Sequence, residues 1–274
     1  MNKSVSSAIL GTASLLRMRA MYLGGIESVL PERCLQLLSP LALSAVFAAD
    51  IAMHTPPGRN PLLDLLTGCA ARLYETCLDT STDAAAGDET GVVASGYAGV
   101  GLTARPLLIG QGLGAMLAAE LACFAPDPAA PLVLIAPLGL WLDTHPLANL
   151  LALGGEDATA LLWHDPTHPE AQQMRAHWPP RGRNALSRVM WPFAEHGLHQ
   201  RLRHLRRRVL VIAGADDRFT PPAYAQAFTK LLPDATLSVI PRCGHLPMLE
   251  RPEETAGVIH TFLTTKSSPT GRTS

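Results

Sequence analysis

The sequence lacks an excess of either charge, a Cys-x-x-Cys pair, and any abundance of aromatic or charged residues. Its 22 Lys+Arg stand against 23 Asp+Glu, a formal net charge of −1, so the basic surface that would hold nucleic acid or an anionic membrane is missing. Charged residues make up 16% of the chain and hydrophobic residues 47%, which excludes a disordered or solvating segment. Cys34, Cys69, Cys77, Cys123 and Cys243 are odd in number and scattered. That excludes a disulfide scaffold and suits small core thiols in a reducing cytoplasm, where the protein is expected to reside. The uncharged run 34–49 contains Pro40 and ends in Val46-Phe47-Ala48. It is shorter than the roughly 20 residues of a membrane span, and too much chain precedes it for a signal-peptide n-region. No internal repeat is present. What remains is a globular chain of 274 residues, long enough to bury about three-quarters of its unfolded surface.

Short apolar runs then alternate with helical patterns. Pro106-Leu107-Leu108-Ile109, Leu132-Val133-Leu134-Ile135 and Val209-Leu210-Val211-Ile212 read as strands covered on both faces, and Ala235–Ile240 as a weaker fourth. Between them, residues 115–124 are rich in Ala and Leu. Tyr224, Phe228 and Leu231 recur at helical spacing after Pro221, and Pro252-Glu253-Glu254 opens a last helix with Ile259, Phe262 and Leu263 inward. This alternation predicts an α/β fold with a mostly parallel sheet. Residues 138–208 interrupt it and hold all four tryptophans, so they read as an inserted helical cap. The core is then expected at 51–137 and 209–265, with a frayed tail at 266–274. Residues 1–50 show neither strand alternation nor a helical stripe, and no role follows for them.

The chemistry-bearing residues lie where strands end. Leu108-Ile109-Gly110-Gln111-Gly112-Leu113-Gly114-Ala115 turns a strand sharply into a helix, with glycines two places before and after Gly112. This resembles the nucleophile elbow, G-x-S-x-G, of the α/β-hydrolase family, with Gly112 where the serine stands. Gly214-Ala215-Asp216-Asp217-Arg218-Phe219-Thr220-Pro221 resembles the family's acid loop, with Asp217 as the acid. Cys243-Gly244-His245-Leu246-Pro247 resembles its histidine loop. The order nucleophile, acid, histidine is the family's own. The stretches 134–141 and 197–202 are similar to capped bacterial hydrolases near the carbon–carbon-bond and ester-cleaving branch. The resemblance spans about residues 104–264.

It implies an α/β-hydrolase fold, a catalytic pair Asp217 and His245, an oxyanion-hole N–H on Leu113, and no cofactor. The front half matches less well. Ile51-Ala52-Met53-His54-Thr55-Pro56 is read as the strand and oxyanion loop, with Pro56, which has no N–H, where a donor is expected. Cys77-Leu78-Asp79 is read as the next strand. With glycine at 112, the strained backbone of the elbow is relieved, and a Ser–His–Asp acyl-enzyme route is closed.

Competing readings are weaker. Gly110-Gln111-Gly112-Leu113-Gly114-Ala115 as a dinucleotide loop would need an acid closing the next strand, which ends instead in Ile135-Ala136-Pro137. His164-Asp165-Pro166-Thr167-His168 has a metal-like spacing, but Pro166 and Pro169 prevent the helix that would align its histidines. Arg201, Arg203, Arg206, Arg207 and Arg208 read as a wet helix face opposite Leu198, Leu202 and Leu205. Trp141, Trp163 and Trp191 are candidates to line a pocket for an apolar small molecule. Three functions follow: a degenerate hydrolase that binds without hydrolysing, a general-base enzyme using His245 without a covalent step, or an ordinary family hydrolase altered at the elbow.

Overall fold

Runs of Leu, Val and Ile too short for helices form the centre of the molecule. They are β1 (Arg19–Gly24), β2 (Ala42–Phe47), β3 (Leu107–Gln111), β4 (Leu132–Ile135), β5 (Val209–Gly214) and β6 (Ala235–Ile240). All pair in parallel, in the order β2-β1-β3-β4-β5-β6. The computed structural model describes residues 19–24, 42–47, 107–124, 131–179, 183–190 and 197–265. Every residue of β3, β4 and β5 is buried, which is why these strands carry no polar alternation.

The helices follow the same logic. α1 (Leu113–Phe124) is buried continuously from Leu113 to Ala122. It lies between the sheet and the helical insertion, and this explains why it is apolar on every side. The insertion between β4 and β5 comprises α2 (Gly155–Leu162), α3 (Pro169–Ala176), α4 (Arg183–Met190) and α5 (Leu198–Leu202). α6 (Pro222–Leu231) turns Tyr224, Ala225 and Phe228 inward. The short α7 (Pro247–Glu250) leads into α8 (Pro252–Thr264), which buries Ile259 and Phe262.

Two expectations are corrected here. The strand beside β3 is β1, which aligns Leu23 with Gly110, and the strand beyond it is β2. The sheet therefore draws two strands from residues 1–50, the stretch left without a role. Residues 51–58 and 77–79, read as those two strands, lie outside the described residues. The physical reason is that β1 and β2 are short and unpatterned, and only their pairing, β1 with β3 and β2 with β1, identifies them.

The arginine run is also not a simple solvated face. Leu198, Leu202 and Leu205 do point inward, but Arg207 is 5% exposed. Arg201 forks onto the buried carboxylate of Glu120 in α1. Arg208 lies over the Phe262 ring and donates to the Phe262 carbonyl. A guanidinium stacks and forks where an ammonium does not, so these residues fasten the insertion and α8 to the core.

Chain direction across the sheet reverses between β1 and β3, since β2 lies on one side and β4 to β6 on the other. In open parallel sheets, ligands bind at the carboxyl ends of the strands at such a switch point. Gln111 and Gly112 stand at that end of β3.

Candidate active site

The turn from β3 into α1 is tight enough to dictate its residues. A Cβ on Gly110 would lie 2.4 Å from the Gly114 carbonyl oxygen and 2.6 Å from the Ala115 Cα, so only glycine fits there. Gly112 has φ +56°, the left-handed region that side chains resist. It is braced on both sides: its N–H donates to the Ile135 carbonyl at 2.9 Å, and its carbonyl accepts from Leu138 at 3.2 Å and Met116 at 3.3 Å. A Cβ built on Gly112 would point at His245, 3.2 Å from Nε2.

Asp217 and His245 meet beside this turn. Asp217 Oδ2 lies 2.9 Å from His245 Nδ1. Both residues are buried, at 3% and 1% exposure. Asp217 Oδ1 accepts from the Phe219 and Thr220 N–H groups at 2.9 and 2.8 Å. The Thr220 hydroxyl donates to Asp217 Oδ2 at 2.8 Å and lies 3.0 Å from His245 Nδ1. Since that hydroxyl spends its proton on Asp217, it faces Nδ1 as an acceptor. The network thus assigns a proton to Nδ1 and directs Nε2 toward Gly112. The Phe219 ring meets the imidazole edge-on, centroids 5.0 Å apart. Gln111 Nε2 donates to the His245 carbonyl at 3.3 Å.

The histidine loop is seated on the insertion. The His245 N–H donates to the Leu162 carbonyl at 2.7 Å. A Cβ on Gly244 would lie 2.5 Å from that same oxygen. Glu250 joins the two parts, accepting from the Gly244 N–H at 2.8 Å and the His164 N–H at 2.7 Å. Burial pushes its carboxyl up from the ordinary range, while backbone N–H groups pull the other way. Burial also pushes the neighbouring Cys243 thiol up. On the outer side, His164 Nδ1 lies 2.9 Å from Asp216 Oδ2, and Arg218 donates to the Ala160 and Trp163 carbonyls at 2.7 and 3.2 Å.

The remaining candidates fall elsewhere. Leu113, 1% exposed, opens α1, so its N–H finds no carbonyl within the helix. Trp163 has no accessible surface. It stacks on His168 and donates to Met174 Sδ, which makes it the insertion's own core and removes it from an open pocket. Trp141 is 38% exposed and donates to Asp143; Trp191 lies outside the described residues. His168 Nδ1 caps α3 by accepting from Glu170. Asp165 closes a turn onto Thr167, whose two hydrogen bonds hold its carboxyl below the usual range. Among the described residues no group of three His, Cys, Asp or Glu side chains surrounds a metal site. No helix among them is long and apolar enough to cross a membrane.

Sequence reasoning missed Thr220, Gln111 and Glu250. Thr220 had a local signal, since an Asp followed at i+2 and i+3 by free N–H groups forms a turn of this kind. Glu250 had none, because its partners come from the segment that follows α2 and from the loop ahead of α7.

The sequence model of the alpha/beta hydrolase family matches residues 35–258. The chain belongs to this family. Among characterised hydrolases it is 27% identical over 161 residues to 2-hydroxy-6-oxo-6-phenylhexa-2,4-dienoate hydrolase of Burkholderia cepacia, covering 50% of this chain and 55% of that one. It is likewise 27% identical over 177 residues to 2-hydroxymuconate semialdehyde hydrolase of Pseudomonas putida, covering 57% of this chain and 61% of that one. The match thus spans little more than half the length of these relatives. In three dimensions, the 2-hydroxy-6-oxo-6-phenylhexa-2,4-dienoate hydrolase of Rhodococcus superimposes with a TM-score of 0.66 at 17% identity, over 90% of this chain and 91% of that one. A thermophilic esterase from Thermogutta terrifontis gives 0.59 at 17% identity, over 90% and 89%. At this identity the structures show a shared fold. This alpha/beta hydrolase is related to the meta-cleavage product carbon–carbon hydrolases.

Proposed function

We propose that this alpha/beta hydrolase has lost the serine nucleophile, with Gly112 holding its position, and that it acts as a degenerate hydrolase retaining the His245–Asp217 pair and a pocket for an apolar small molecule. One observation carries the reading. The side-chain direction of Gly112, at φ +56°, runs to within 3.2 Å of His245 Nε2, where a serine hydroxyl would be activated. Three features support it: the Nδ1 proton shared with Asp217, the Leu113 N–H at the start of α1, and the glycine that such a turn needs at 110. The helical insertion, seated on the acid and histidine loops, acts as the cap over the site.

A second reading rests on His245 Nε2, which has no hydrogen-bond partner among the described residues. There His245 takes a proton from a bound water, the water oxygen adds to an acyl carbon, and the proton passes to the leaving group.

Hydrolysis of a short p-nitrophenyl ester, together with fluorophosphonate labelling, separates the two. Turnover and labelling confined to Gly112→Ser support the degenerate hydrolase. Wild-type turnover abolished by His245→Ala overturns it and supports the water route. A Gly112→Ser protein that folds but neither labels nor turns over overturns the assignment of Gly112 to the nucleophile position.

A further inference from the structure

From the open edge of β6, we infer that the chain self-associates. β6 of one copy pairs antiparallel with β6 of a second copy about a twofold axis at Ser238, with Asp234 of each copy opposite Arg242 of the other. The inference does not involve the Gly112 site and stands on the sheet alone.

β6 ends the described sheet, with β5 on one side and no strand among the described residues on the other. Its residues, Ala235-Thr236-Leu237-Ser238-Val239-Ile240, include no charge and no proline. Their register with β5 runs unbroken from Ala235 to Ile240. Charged side chains, proline and bulges are the usual guards of an open edge, and β6 has none of them within the strand. α6 and α8 pack against it, yet Thr236 is exposed and Val239 is 43% exposed. The backbone groups at the edge follow from the ladder. The Val209 N–H donates to the Asp234 carbonyl, and the Ala215 N–H to the Ile240 carbonyl. Successive residues of a strand turn these groups to alternate sides. Residues 234, 236, 238 and 240 therefore face β5, and Ala235, Leu237 and Val239 present N–H and C=O to the open edge.

Symmetry and charge select the occupant and its register. A twofold partner offers the same groups in reverse order, and the outward residues 235, 237 and 239 oppose one another in only a few registers. Centring the pair on Ser238 sets Leu237 against Val239 twice. Each is a hydrogen-bonded pair that exchanges both backbone bonds and covers the exposed valine. The same register sets Asp234 against Arg242 at both ends. Both side chains are exposed, and neither has an ion-pair partner among the described residues. Centring on Leu237 instead would oppose Asp234 to Ile240 and Arg242 to Leu232, leaving both charges unpaired. A copy of this chain is thus complementary to the edge in a way that an arbitrary extended peptide is not. Pro233 and Pro241 flank the strand; they lack N–H groups and limit the pairing to this length.

So short a strand pair falls below a standard interface, and the dimer is expected to be weak, with a Kd of about 1–100 μM. Sedimentation velocity of the full chain from about 1 to about 300 μM covers that range. Asp234→Arg and Arg242→Asp each place like charges at both ends and are expected to weaken association about tenfold, while the double variant restores it. Val239→Lys, its fold checked by a thermal melt, is expected to remain monomeric. Under mild oxidation Ser238→Cys is expected to form a covalent dimer beyond the wild-type level. The reason is that a non-hydrogen-bonded antiparallel pair holds its Cα atoms about 4.5 Å apart, within disulfide reach. Thr236→Cys and Leu237→Cys are expected not to do so. A monomer throughout the range overturns the proposal, even one that takes up an added extended peptide on this edge. So do single charge reversals without effect, a double variant that fails to restore association, or cross-linking at residue 237 equal to that at 238.

Discussion

Replacing Gly112 by alanine and, separately, by serine measures the turn from β3 into α1 as a mechanical device. At φ +56° an L residue carries a left-handed backbone that costs about 1–2 kcal/mol. The added Cβ stands 3.2 Å from His245 Nε2, so the ring has to yield by a few tenths of an ångström, and Asp217 and Thr220 resist that movement. Alanine also restricts the unfolded chain, which offsets about 0.4–1 kcal/mol. The net expectation for Gly112→Ala is a loss of about 1–2 kcal/mol, or about 2–8 °C in Tm for a chain of this size. Serine bears the same backbone cost but donates its hydroxyl to Nε2, which returns about 0.5–1.5 kcal/mol.

The order of stability is therefore glycine, then serine, then alanine. In a His245→Ala background the serine and alanine variants converge, because the acceptor is gone. Urea unfolding with a common m-value reads each difference directly. Alanine as stable as glycine would show that residue 112 does not hold a left-handed turn. A serine advantage that survives His245→Ala would show that the hydroxyl bonds elsewhere. Either result refutes the geometry on which the proposed function depends.

Other consequences concern the scaffold. Arg201→Met strands the Glu120 side chain, 1% exposed, and is expected to cost about 3–5 kcal/mol, most of it recovered by adding Glu120→Leu; a loss below about 1 kcal/mol contradicts the pairing. Gly214→Ala would place a Cβ 2.0 Å from the Gly244 carbonyl oxygen and 2.4 Å from that of Cys243, an overlap of backbone atoms expected to cost more than about 4 kcal/mol. Gly257→Ala, inside α8 with nothing within 4 Å of the new Cβ, is expected to stabilise by about 1 kcal/mol in thermal melts. Burial raises the Glu250 carboxyl, so the folded chain holds that proton more tightly than the unfolded chain. Its contribution is present in full below the unfolded value of about 4.3 and lost as pH rises through the raised one. The wild-type advantage over Glu250→Gln should thus shrink in urea melts as pH rises above the unfolded value, and an advantage that widens with pH would reverse the assignment.

Much of this architecture is local in origin and so is readable in one dimension. Leu107 to Ile109, Leu132 to Ile135 and Val209 to Ile212 are apolar because β3, β4 and β5 are covered on both faces. Gly110, Gly214 and Gly244 are glycines because neighbouring backbone occupies the place of a Cβ. Asp217 and His245 are recognisable from the loops that present them, since each loop's shape depends on residues within a few positions. The arginine run shows where such reading stops. Its leucine spacing correctly located the buried side, but Arg201 and Arg208 find Glu120 and Phe262 on helices far away in sequence.

The sequence by itself determined the alternation of strand and helix, the tight glycine turn after β3, and the loops that carry Asp217 and His245, because each follows from hydrophobic burial or steric limits within a short segment. Only the tertiary structure decided that residues 19–24 flank β3, that Trp163 is core and not pocket, and that Glu250 binds the insertion to the histidine loop. Above all, it decided that the side-chain direction of Gly112 ends on His245 Nε2. These depend on which distant segments the sheet brings side by side, and strand pairing and packing across a core carry no period along the chain.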